Sequence, residues 1–504
     1  MENGEGKGHD TGRQRVVWAA LLMPGLFCIA LAPLSSSQTA ERSEQPSTNA
    51  AKLLQQGQVG AAIEQYRRAV AANPQDPQNY YGLAVALDRA GDLREERKAL
   101  HHVLLLNSSY APLHNQLGLL NMKEAKPAMA AAEFRAAIAL DPLYPEAKNN
   151  LGVLMRAQGD NSAAEALFRQ AIAENAGYAQ AMTNLGSLLA VEARLPEAEE
   201  VLRRAIEIDP KNVDALTEHA MVRMRMDRKP EAVEEFRAAK QAEPQRAETH
   251  INLGIALADS ADLDGALGEF TEAIRLQPDN GLAHHNRGRV LSDMNRDAEA
   301  MLELEKAVQL KSDEAEWWSV LGALARKMGD KKESARALRS AAELAPKDAR
   351  RQYELGQALL EAGDRESAVA QWRRALALQP EYADALYALS RTLARTDATE
   401  SKELQTRFTK LQELQRATDD AQAMGNDALN KAAAGDWSTA IVGLKKAIDR
   451  CGECSVRPQL HKNLGLVYCR SGDLKDGKSE LLQADKWLPG DADIAKALQF
   501  LKSE

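Results

Sequence analysis

Seven prolines constrain this chain more than any other feature. Pro74, Pro142, Pro210, Pro244, Pro278, Pro346 and Pro380 are separated from one another by multiples of 34 residues. Ser108, Ala176 and Ser312 fill the missing steps, giving ten units without insertion or deletion from about residue 43 to 382. A fixed period of this length marks a stack of small supersecondary units, not one large core. Composition agrees, because aromatic residues are only 5% of the chain and cannot furnish an aromatic-rich interior. No alternating strand pattern bounded by turns is found, and apolar residues recur at helical spacing, as in Ala61, Ile63, Tyr66 and Val70.

Other marks keep the same register. Leu-Gly pairs end at Gly118, Gly152, Gly186, Gly254, Gly322 and Gly356. Twelve residues on stands a small residue (Ala130, Ala164, Ala198, Ala266, Ser334, Ala368), and four beyond it a bulky one (Phe134, Phe168, Leu202, Phe270, Leu338, Trp372). Small residues let two antiparallel helices approach, and the bulky one fills the space between them. Gly91-Asp92, Gly159-Asp160, Gly329-Asp330 and Gly363-Asp364 read as the turn, with Gly ending one helix and Asp capping the next. Proline then follows the second helix, which it cannot continue.

These residues resemble the tetratricopeptide repeat, a helix-turn-helix unit. The resemblance implies an all-α, right-handed superhelical solenoid of stacked antiparallel helix pairs with a concave groove. Three units depart from the pattern. The first has a degenerate leading helix, the second carries Glu96 where a small residue is expected, and the sixth has His219-Ala220 in place of Leu-Gly. Residues 383–420 read as an irregular helical connector, 421–490 as two further units with a three-residue insertion at CGECSVRP, and 491–504 as a capping helix.

The N-terminus has a separate character. Arg13 and Arg15 precede the apolar run 16–34, and Ser35-Ser36-Ser37 follow it, the order of a secretory signal cleaved after Ser37. Residues 38–46 then form a linker. The alternative is an uncleaved anchor, since the run is about long enough to span a bilayer. Either places the rest of the chain outside the cytosol, in the periplasm or extracellular space of a bacterium, and confines membrane contact to residues 16–34. Phe27 stands where a lipoprotein signal needs a small residue, which argues against Cys28 as a lipid acceptor.

One recurrence suggests a binding surface. Asn150, Asn184, Asn252, Asn286 and Asn463 each stand two residues before a unit's Gly, although asparagine is a mediocre residue inside a helix. Their position is expected to face the groove, where stacked amides could hold an extended peptide backbone. This resembles the asparagine ladder in the repeat half of O-linked N-acetylglucosamine transferases. Gln116, Glu218 and Glu354 interrupt the row. Val153, Ser187, Met221 and Ile255 share that helical face and would form a strip beside it, either for peptide side chains or for packing between units.

Other chemistry finds no support. Cys451 and Cys454 follow a helix and do not open one, so the CxxC reads as a local disulfide, with Cys469 as a small packing residue. His461 and Cys469 lie on one helix about 12 Å apart and are poorly placed to share a metal. The nine histidines read as scattered. There is no HExxH, GxGxxG or GxxxxGK[ST] motif, so no metal, cofactor or small-molecule substrate is expected. A net charge of −9 without a basic stripe argues against nucleic acid. The function expected is a non-catalytic scaffold for a peptide or partner protein. The alternatives are a structural part of a secretion, pilus or envelope complex, and a substrate-recruiting subunit of an enzyme such as a glycosyltransferase.

Overall fold

The computed structural model describes residues 46–503, and the signal or anchor at 16–34 lies outside them. The described residues form twenty-six helices and no strand. They divide into two compact units meeting at Pro244 and Gln245.

The first unit holds six antiparallel pairs: α1 (Pro46–Gln55) with α2 (Val59–Ala72), α3 (Pro77–Ala90) with α4 (Leu93–Leu106), α5 (Ala111–Lys123) with α6 (Pro127–Leu140), α7 (Pro145–Ala157) with α8 (Asn161–Glu174), α9 (Ala179–Val191) with α10 (Leu195–Ile208), and α11 (Val213–Arg225) with α12 (Lys229–Ala242). The second continues with α13 (Ala247–Asp259) and α14 (Leu263–Leu276), α15 (Gly281–Asp293) and α16 (Asp297–Leu310), α17 (Ala315–Lys327) and α18 (Lys331–Leu344), and α19 (Ala349–Glu361) and α20 (Arg365–Leu378). Then come α21 (Ala383–Leu393), α22 (Ala398–Ala433), α23 (Trp437–Cys451), α24 (Arg457–Ser471), α25 (Leu474–Asp485) and α26 (Ala492–Ser503). The fold is an all-α repeat solenoid.

Most pairs are built on a glycine facing a bulky side chain. A Cβ on Gly152 would lie 2.7 Å from the Phe168 ring, and one on Gly254 would lie 2.7 Å from Phe270. Gly356 makes the same room for Trp372. These large residues are fully buried, so the glycine sets how closely the helices approach.

The turn inside each pair needs a left-handed residue. Gly159, Gly329 and Gly363 supply it at φ 84°, 83° and 92°. Five units manage without glycine: Ala125, Ala193, Asp227, Ala261 and Asn295 hold φ between 55° and 63° at the same position. Side chains resist that conformation, so these turns store strain. Aspartate caps follow as expected, with Asp160 accepting from the Ala163 amide at 3.0 Å and Asp330 from the Glu333 amide at 2.9 Å.

The expected connector at 383–420 needs correction. Residues 398–433 are one helix of 36 residues, so the boundary at 420 falls in its middle. Its first part packs on α21 and its second on α23, completing one pair and opening the next. No proline or turn dipeptide interrupts the segment, and its lone Gly425 serves packing, because a Cβ there would sit 2.7 Å from Leu460.

Within the first unit, the first helices α1, α3, α5, α7, α9 and α11 touch in succession. Successive second helices make no comparable contact among the described residues. The first helices therefore crowd together on the inner side, and their exposed face is the concave wall of this stack. In the second unit α13, α15 and α17 touch in the same way.

Candidate functional site

Asparagines cross the wall of the first unit as a hydrogen-bonded relay. Asn184 Nδ2 donates to Asn149 Oδ1 at 2.8 Å, Asn149 Nδ2 to Asn150 Oδ1 at 3.5 Å, and Asn150 Nδ2 to Asn115 Oδ1 at 2.9 Å. The relay joins α5, α7 and α9. Its links between helices span 35 residues, one more than the repeat, because neighbouring first helices are offset by one position. The amides bond to one another and are not free in the groove: Asn150 is 7% exposed, and Asn184 is partly buried. Asn115 and Asn149, one position earlier, carry half the relay and were not singled out from the sequence.

The other asparagines differ. Asn286, also 7% exposed, donates to the Leu282 carbonyl of its own helix at 3.0 Å. Asn463 accepts from Gln459 within α24 at 3.0 Å, and Asn252 is partly buried. They do not join the relay of the first unit. In the companion strip Val153 packs on the core around Phe168 and Leu185, and Ser187 is buried, while Met221 and Ile255 are only partly covered.

Tyrosines lie beside the relay. Tyr110, Tyr144 and Tyr178 occupy the N-cap positions of α5, α7 and α9, one per unit at the repeat spacing. All three are partly exposed, as is Tyr81 on α3, whose ring meets Tyr110 edge-on at 5.3 Å. Burial holds the Tyr144 and Tyr178 phenols well above their ordinary range, and the nearby Glu146 carboxylate adds to the effect. Their 34-residue spacing was visible in the sequence and would have found them.

Two acids of the first unit have raised pKa values, Glu96 at the small-residue position of its repeat and the partly buried Glu218 in the asparagine register. Glu96 is fully buried on α4 and accepts from Gln116 Nε2 at 2.9 Å. Burial, helped by Asp88, pushes its carboxyl up to about 8 against the lowering effect of Gln116. Glu218 on α11 is pushed up to about 7, chiefly by burial, with Arg156 opposing the rise.

The second unit has polar groups of its own on its first helices. His285 stacks on Trp317 at 5.2 Å, and burial with the charge of Arg289 lowers its pKa to about 3. Between α17 and α19 lies a cavity of about 510 Å³. Among the residues lining it is Arg351, 7% exposed, which donates to Ser319 Oγ at 2.5 Å and to Glu354 at 3.2 Å and pairs with Glu316.

The histidines are less scattered than the sequence suggests. His114–Glu133, His250–Glu269 and His284–Glu303 repeat one Nδ1–carboxylate contact at 2.7 Å, and His461–Glu480 repeats it at 2.6 Å. Each ties the first helix of a pair to the second across 19 residues, so these rings are structural struts. Cys451 and Cys454 are joined as a disulfide with Cα atoms 5.0 Å apart, both almost fully buried at the end of α23. Cys469 is free and partly buried.

The family profile described as tetratricopeptide repeat matches residues 115–177, 156–213, 217–281, 251–315, 319–364 and 353–401, and a second, described as TPR repeat, matches 52–91. Together they cover more than half of the chain. The chain belongs to the tetratricopeptide-repeat family. Tetratricopeptide-repeat proteins are generally protein-interaction scaffolds. Similar solved structures include Pseudomonas aeruginosa pilF, at 22% identity over 42% of this chain and 97% of that one, with a TM-score of 0.38. Others are YrrB, described as a TPR protein with an unusual peptide-binding site (23% identity, 37% and 96% covered, TM-score 0.31), and a tetratricopeptide-repeat protein from Parabacteroides merdae (16%, 50% and 100%, 0.41). A comparison with curated proteins finds no match.

Proposed function

We propose that this chain is a non-catalytic scaffold that holds an extended segment of a partner protein against the first-helix wall of its first unit. The observation that carries this reading is the tyrosine row laid beside the asparagine relay at one register on α5, α7 and α9. Neighbouring packed helices lie about 8–10 Å apart, and an extended chain advances about 3.3 Å per residue, so every third residue of a bound segment would meet a tyrosine. Tyrosine suits this role because its ring gives contact area at low entropic cost and its hydroxyl can hydrogen-bond. The relay fixes the wall beforehand, so less ordering remains to be done on binding.

Export is part of the proposal. It is supported by the n-, h- and c-region order around residues 16–34 and by the Cys451–Cys454 disulfide, which suits an oxidising compartment. No described helix is long and apolar enough to cross a membrane.

The test is capture of the native partner by wild type and by the Tyr110→Ala/Tyr144→Ala/Tyr178→Ala variant, both checked for an unchanged helical signal. Loss of capture by the variant is expected. Undiminished capture would place the partner elsewhere.

A further inference from the structure

The first helices of the second unit part at one place. α13, α15 and α17 touch in succession, but the backbones of α17 and α19 stand farther apart. The gap between them is the cavity of about 510 Å³, within the size range of ligand pockets. Its lining departs from the repeat's own pattern. Arg351 occupies the position at which five other units carry a buried alanine, Ala147, Ala181, Ala215, Ala283 and Ala385. A buried guanidinium is costly where alanine would pack, and this one is kept by the acceptors Ser319, Glu316 and Glu354.

Part of the lining is apolar and held in place. Val320 and Ala323 on α17, Leu338 on α18 and the Tyr353 ring on α19 contribute it. Tyr353 is braced by Tyr382, which meets it edge-on at 5.3 Å, and by Gln357, whose Nε2 donates to its hydroxyl at 2.7 Å. An apolar side chain entering here meets a surface already ordered. Toward solvent the opening is positive. Arg326 pairs with Glu361, Lys327 with Asp297 and Arg350 with Glu354. In each pair the cation is the outer member: the three basic side chains are 45–63% exposed and their acids 23–32%. Glu316 is comparably exposed, but the Arg351 guanidinium holds and neutralises it. An acidic group approaching the opening therefore meets cations first.

We propose that the opening between α17 and α19 is a second binding site, which seats an aromatic or long aliphatic side chain from an acidic segment of a partner protein. The apolar side chain enters between Val320, Ala323, Leu338 and Tyr353, and the flanking carboxylates meet Arg326, Lys327 and Arg350 at the rim. The reading of the first unit neither requires nor supplies this site.

The probe is a phage-displayed library of random dodecapeptides, cleared on the immobilised Ala323→Trp chain and then panned on the wild-type chain. The added ring fills the cavity. Ala323 is exposed, so the fold should survive, and an unchanged helical signal and melting temperature check this. Recovered peptides are synthesised and measured by fluorescence anisotropy. The expected result is a shared pattern of one aromatic or long aliphatic residue beside acidic ones. Arg326→Gln/Arg350→Gln should weaken these peptides about tenfold and flatten their salt dependence, whereas Tyr110→Ala/Tyr144→Ala/Tyr178→Ala should leave them unchanged. Recovered peptides without acidic residues, or indifferent to the arginine variant, would overturn the proposal, as would the absence of any survivor. Loss of binding in the tyrosine variant would place the peptides on the first unit and overturn it too. A wild-type dimer in sedimentation that Ala323→Trp dissociates would give the opening to a second copy of this chain instead.

Discussion

Asn150→Ala distinguishes a locked wall from a row of idle amides. The substitution removes the donor to Asn115 Oδ1 and the acceptor for Asn149, and Asn115 and Asn149 are both only 4% exposed. Each hydrogen bond has a net worth of about 0.5–1.5 kcal/mol, and an orphaned buried amide costs about 1–3 kcal/mol. Alanine returns about 0.5–0.7 kcal/mol through helix propensity. The balance is a local loss of about 1–2 kcal/mol across α5 and α7. Asn286→Ala is the internal control. It is equally buried but bonds only within its own helix, so the same substitution should be neutral or slightly stabilising. The chain is too long for a single unfolding free energy to be meaningful. Amide hydrogen exchange read by mass spectrometry gives the local value. Protection in α5 and α7 should fall about tenfold for Asn150→Ala, and α15 should hold steady for Asn286→Ala. In the cycle with Asn115→Ala the two effects should couple by about 1 kcal/mol. Strict additivity, or equal behaviour of the two single variants, would refute the relay.

Other expectations concern the fold around the wall. Replacing Ala125, Ala193 and Ala261 with glycine should raise the melting temperature: each relieves about 1–2 kcal/mol of left-handed strain and returns about 0.4–1 kcal/mol to the unfolded chain. Lower melting would mean those turns are not strained. Glu96 has a folded pKa raised to about 8 against an unfolded value of about 4.3, so its proton is favoured by folding. Local stability should therefore fall as pH rises from about 4.3 to 8 and level off above, and Glu96→Gln should remove that slope from the exchange of α4 and α5; a slope unchanged in the variant would assign it to another group. Ala205→Leu, at a position without exposure beside Met182 and Ala215, should cost about 1–3 kcal/mol by overpacking, and wild-type stability would show the register to be misplaced.

The period of 34 was legible because every mark that carries it is local to one helix pair. Gly152 must clear Phe168, and Gly159 must turn left-handed, whatever the neighbouring units do. Contacts between units obey a different spacing. Asn150 meets Asn115, Asn184 meets Asn149, Lys123 meets Asp88 and Arg326 meets Glu361, all 35 residues apart. A search for identical residues at 34 aligns equivalent positions and passes over the pairs that touch. The His–Glu struts were missed for a related reason. Their 19-residue separation follows from the antiparallel packing of one pair, and nothing in the sequence between His114 and Glu133 announces it. The boundary expected at 420 falls inside α22, because the next repeat was marked by its turn at Gly435-Asp436 and nothing local shows that its first helix is continuous with the segment before it.

Site-specific photocrosslinking to the native partner tests the binding wall most directly. A photoreactive residue is placed singly at Tyr144 or Tyr178 on the inner wall, and at Arg135 on α6 or Arg169 on α8, exposed positions of the second helices. The expected result is one partner band from the Tyr144 and Tyr178 positions and none from the Arg135 and Arg169 positions, with crosslinked peptides mapping to one continuous segment of the partner. Crosslinks arising chiefly from α6 and α8 would contradict binding on the first-helix wall.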